Sequence, residues 1–174
     1  GPEGSAIAGL WFLEALNIPA AVADVMTAHL GNGVHLYEHG VISFSNQLAK
    51  DCGVKKGMSV KEAALLLLTI DTANMSSAET TNRTIMQTSS DGRHVVATDS
   101  IAFATEEDSE RNVLVTAGHT GRSAVPYLLK SKPWGFICSD GGRGMNDSGI
   151  AGLIIVEEFG LAGATVDAKL ARKG

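Results

Sequence analysis

Residues 113–167 read VLVTAGHTGRSAVPYLLKSKPWGFICSDGGRGMNDSGIAGLIIVEEFGLAGATVD. Three short apolar runs, Val113–Ala117, Gly135–Ser139 and Ala162–Asp167, alternate with two stretches of helical spacing, 123–131 and 148–159. Strands that are apolar on both faces suit a sheet covered on both sides, and strand–helix–strand crossovers in one sheet are parallel and right-handed. The stretch predicts a βαβαβ unit with a mainly parallel sheet, in a three-layer α/β sandwich.

Upstream, Ile85–Thr88 and His94–Thr98 flank Asp91-Gly92, a strong turn signal, and predict one β-hairpin. Ser59-Val60-Lys61-Glu62 has the form of a capping box opening a buried helix over 60–70. Val41, Phe44, Leu48 and Cys52 share helical spacing and predict a further helix over 40–52. Residues 5–17 read as a helix stopped by Pro19, Ala20–Met26 as a strand, Gly31-Asn32-Gly33 as a turn, and 71–83 as a polar surface loop.

The chain also repeats a piece of itself. Ser5–Gly31 lies over Ser148–Gly174 without a gap, with about ten of roughly twenty-seven positions identical. The matches include Ile7/Ile150, Gly9/Gly152, Leu10/Leu153, Glu14/Glu157 and Asp24/Asp167. Each copy reads as a helix–strand unit, so an internal duplication is expected, as in a window from a longer tandem array. Two halves follow: a helix-rich 1–80 with the first copy, and 81–174 with the hairpin, the βαβαβ series and the second copy, both sharing one core.

Composition limits the function. A net charge of −5 over 174 residues, with scattered basic residues, argues against a nucleic-acid surface. No run is long and apolar enough to span a membrane. Cys52 and Cys138 are far apart and outside any CxxC pattern, which fits a reducing, cytoplasmic setting rather than a disulfide framework or structural zinc. Neither GxGxxG nor a P-loop is present, so no NAD or ATP site is expected.

In open parallel sheets, ligands bind at the carboxyl ends of the strands. Three loops should converge there: 118–123, 139–147 and 167–172. Gly141, Gly142, Arg143, Gly144, Asn146, Asp147 and Ser148 form a glycine-rich approach to a helix whose expected N-cap is Asp147 or Ser148. Main-chain N–H groups in such a loop can face an anion. Arg122 and Arg143 are candidates to clamp it, with Thr120 beside them binding substrate or, with Ser123, capping the helix.

His119 is the only histidine in these loops and the candidate general acid/base, with Asp140 to orient it. Asp140, Asn146 and Asp147 also offer oxygen ligands for a divalent cation. The competing reading makes these residues turn and packing elements. Cys138 is either a nucleophile or a buried inert thiol. His29, His35 and His39 cluster without the spacing of a zinc motif, while His29 aligns with Arg172 and is expected at the corresponding edge, within reach of a shared pocket. The resulting expectation is a hydrolase or lyase acting on a small anionic substrate. Its rivals are a non-catalytic anion-binding or regulatory module and a structural protein in which a second copy completes the sheet or pocket.

Overall fold

A computed structural model of the protein describes residues 2–71 and 82–170. Its larger sheet has five strands in the order β3-β4-β5-β6-β7: Arg83–Thr88, His94–Thr98, Val113–His119, Gly135–Ser139 and Gly163–Val166. The β3–β4 pair is the expected hairpin, and β4 through β7 are all parallel. Helices α5 (Val125–Ser131) and α6 (Ala151–Glu157) form the two crossovers. The mixed α/β architecture read from 113–167 is therefore observed.

Every second strand residue faces these helices. Val96, Leu114, Phe136 and Cys138 are buried with Leu128 of α5 and Val156 of α6, because a strand alternates its side chains across the sheet. Val95, Ala97, Val113, Val115 and Ile137 have the opposite parity and are only half-buried. The side expected to carry the third layer thus lacks the full burial of the helix-covered side. At Gly163 a side chain is excluded, since a Cβ would fall 2.1 Å from the Phe136 ring.

The N-terminal half contains α1 (Gly9–Ala15), β1 (Ala21–Ala23), α2 (Gly33–His39), β2 (Ile42–Ser45), α3 (Gln47–Asp51) and α4 (Val60–Leu67). β1 and β2 make a separate antiparallel pair. The buried apolar residues here, Ile42, Ala49, Val54 and Ala63, form a cluster of their own. The capping box holds as read, with Ser59 Oγ accepting the Glu62 N–H and the Glu62 carboxylate the Ser59 N–H, but the helix it opens ends at Leu67 and is not buried as expected, since Leu65 and Leu68 are exposed.

The helix expected over 40–52 is instead β2 followed by α3, and Asn46 is the reason. Its extended backbone ends the strand, its Oδ1 caps α3 by accepting the Ala49 N–H and also takes the Ala20 N–H, and its Nδ2 donates to Ile18 O. A buried amide with three such partners outweighs the helical spacing, and Phe44 is left half exposed. The turn read at 31–33 leads into α2, which Asn32 caps by accepting the His35 N–H. Of the predicted surface loop 71–83, residues 72–81 lie outside the described residues, as do 171–174.

Among the described residues, no helix is long and apolar enough to cross a membrane, and Cys52 and Cys138 are free thiols.

Candidate functional site

Because β5 and β6 run side by side in the same direction, His119 and Ser139 are paired neighbours at their carboxyl ends, and Asp140 follows at once. His119 Nδ1 accepts the Gly121 N–H at 2.9 Å, so the neutral ring carries its proton on Nε2. Asp140 is nearly buried. Its Oδ1 accepts the N–H groups of Gly142 (2.7 Å) and Ala168 (2.9 Å), tying the glycine-rich loop to the exit of β7.

The glycine-rich loop is built from left-handed backbone. Gly141, Gly142, Arg143, Gly144, Asn146 and Asp147 all have φ between 52° and 79°. Three of these are not glycine, and each left-handed non-glycine residue costs about 1 kcal/mol or more. Six of the donors expected to face a ligand are instead engaged within the protein. Gly141 N–H goes to Ser139 Oγ, Gly142 to Asp140 Oδ1, Arg143 to Asp140 O, Met145 to Val25 O, Ser148 to Met145 O, and Gly149 to Arg143 O. The polar side chains that open the loop, Ser139 and Asp140, curl it onto itself.

The expected caps are also used differently. Helix α6 starts at Ala151 after Ile150, with no side-chain cap. Ser148 Oγ accepts the Leu30 N–H from the other half (2.8 Å), and Asp147 pairs with Arg143 (2.7 Å). Hydrogen bonding and charge from Asp147 raise the Arg143 pKa, and hydrogen bonding to Arg143 lowers that of Asp147. Both are exposed, so the pair adds little stability. Thr120 does not cap its helix either. It is fully buried, and its Oγ1 is enclosed without a hydrogen-bond partner.

What opens at this edge is a cleft of about 370 Å³ lined by His29, Leu30, Asn32, Arg122, Asn146, Ser148 and Ala151. It joins both halves: Asn146 Nδ2 lies 3.1 Å from His29 Nε2. Arg122 is exposed and has no acidic partner among the described residues. His119 is not part of the cleft wall. It stands behind Gly141, where a Cβ would fall 2.9 Å from His119 Cβ and 3.0 Å from Leu30 Cδ1. His29 reaches this edge although β1 lies outside the larger sheet, and Arg172, with which it aligns in sequence, lies outside the described residues. Asn32 was missed, because its turn sequence gave no sign of what it would face.

The histidines pack together. The rings of His29 and His35 are stacked at 4.1 Å, and His39 lies 4.5 Å from His35. Among the described residues, no group of three His, Cys, Asp or Glu side chains is placed to hold a metal. Cys138 is buried with Thr116 Oγ1 donating to its sulfur at 3.4 Å, which leaves the inert-thiol reading. Asp24 and Asp167 each accept an N–H two residues on, from Met26 and Lys169, and so brace their own turns. A second, more apolar cleft of about 770 Å³ lies at the opposite end of the strands, around Leu129, Trp134, Phe159 and Leu161.

No protein-family model, curated protein or solved structure matches the chain.

Proposed function

We propose that the protein binds a small anionic molecule in the cleft between its halves, with Arg122 as the charged anchor and Asn146 and His29 as hydrogen-bonding partners. The observation that carries this reading is Arg122, exposed at a recess of mixed polar and apolar lining without an acidic partner among the described residues. A guanidinium offers paired donors that match a carboxylate or phosphate. Because six of the loop's N–H groups, from Gly141 to Gly149, are engaged internally, recognition rests mainly on side chains.

The test is thermal unfolding with inorganic phosphate and a set of small mono- and dicarboxylates. A ligand at a hundredfold its Kd stabilises by about 2.7 kcal/mol, or roughly 5–10 °C at this chain length. Arg122→Ala should weaken the effective anion about tenfold or more, since hydrogen bonds to charged groups contribute about 1.5–3 kcal/mol. If no anion raises the transition, or if Arg122→Ala responds like the parent protein, the reading is wrong.

The hydrolase or lyase reading adds one step, with His119 moving a proton at Nε2, and it requires the substrate to extend past the cleft wall to the ring behind Gly141. The Gly121 N–H on Nδ1 supports it by holding one tautomer. It predicts that His119→Ala abolishes turnover of an identified ligand while ligand-dependent stabilisation persists. Unchanged turnover would leave the binding module alone.

The duplication is also part of this reading. A helix and then a strand fall within each matched stretch, Gly9–Ala15 and Ala21–Ala23 against Ala151–Glu157 and Gly163–Val166, which supports it. The copies differ in that β7 joins the larger sheet, whereas β1 pairs with β2.

A further inference from the structure

We propose that His35 is the proton sensor of a clasp holding the two halves together at the cleft. Its unprotonated Nδ1 accepts the His29 N–H at 3.3 Å. A backbone N–H can only donate, so this bond exists only while Nδ1 keeps its lone pair. The His35 ring also lies flat against the His29 ring, and His29 Nε2 faces Asn146 of the glycine-rich loop. A single proton on His35 therefore removes the main-chain bond and places a cation against the ring that meets Asn146. The clasp opens, and His29 leaves the cleft wall.

The surrounding charges favour a neutral His35. Desolvation lowers its pKa first, then the charges of His29 and His39, while Glu38 opposes them. From the other elements, Arg122 lines the cleft beside His29 and Asn146, and the Arg143–Asp147 pair lies on the same loop as Asn146. Helix α4, packed on α2, brings Lys61 and Glu62, and Glu62 is engaged in its own cap. A folded-state pKa below the unfolded one means that the unfolded chain binds the proton more readily. Stability therefore falls as pH drops below about 6.5 towards the depressed value. The inference is independent of which ligand the cleft takes.

The test is NMR on the whole chain between pH 7.5 and 5, following the His35 ring and the amides of Leu30 and Met145, which bridge the halves. After correction for intrinsic exchange, both amides should lose protection about tenfold in step with His35, with a midpoint below about 6.5. In His35→Asn, whose side-chain oxygen can accept the bond but not a proton, protection should stay flat. Removing a neighbouring positive charge in His39→Asn should move the midpoint upward. His35 titrating at or above 6.5, protection insensitive to pH, or the same loss in His35→Asn would each overturn the proposal. Should His35→Asn fail to fold, the parent titration and His39→Asn decide it.

Discussion

Asp108→Ala should destabilise the protein by about 3 kcal/mol, the low end of the range for breaking a buried ion pair, because Arg83 retains some access to water. Asp108 is fully buried in the turn before β5. One carboxylate oxygen accepts from Arg83 Nη2 (2.6 Å) and Asn112 Nδ2 (3.0 Å), and the other from the Thr105 N–H (2.8 Å). Asn112 in turn accepts the His94 N–H at the start of β4. One side chain thus joins the sheet edge, the turn and the hairpin. Burial works against its charge, but the bonds to Arg83, Asn112 and Thr105 outweigh this and hold the pKa below the usual carboxylate value. Its stabilisation is present above about pH 4 and is lost as pH falls through the depressed pKa. Urea unfolding at pH 7 checks the magnitude, and a shallower acid limb in Asp108→Asn checks the sign. Equal stability of Asp108→Ala and parent would refute the network's role.

Gly149→Ala should lower the melting temperature by roughly 10 °C, from overpacking of about 3 kcal/mol. A Cβ there would fall 2.2 Å from Asp140 O and 2.9 Å from Arg143 O. Both obstacles are backbone, so relief requires the loop to move, and with it the Gly149 N–H bond to Arg143 O that closes the loop. The variant should also bind anions more weakly, because Asn146 and Ser148 sit on that loop. Calorimetry with the effective anion present and absent measures both effects. A melting temperature within 2 °C or so of the parent would mean that the loop yields freely.

The βαβαβ series was legible because its strands are short, apolar and separated by helical spacing, and the hairpin because Asp91-Gly92 permits few other structures. The rim shared by His119 and Asp140 followed from strand direction alone. Residues 40–52 misled because Val41, Phe44, Leu48 and Cys52 fit a helix locally, while the partners that Asn46 selects, such as Ala20 and Ile18, lie over twenty-five residues away. The inward turn of the glycine-rich N–H groups was hidden for a related reason. Glycine grants left-handed backbone without saying which way its amides point, and here Ser139 and Asp140 decide that. The meeting of His29 with Asn146 spans 117 residues, and only the sequence match of His29 with Arg172 hinted at it.

The division of the buried apolar side chains into two clusters bears on cooperativity. The cleft belongs to neither cluster, and hydrogen bonds from Leu30, Met145 and Asn146 span the seam between them. Such a seam can part while each nucleus stays intact, so the recess should vanish before either half melts. A molecule lodged there acts as mortar: it binds only the joined form, and by mass action ties the unfolding of one cluster to that of the other.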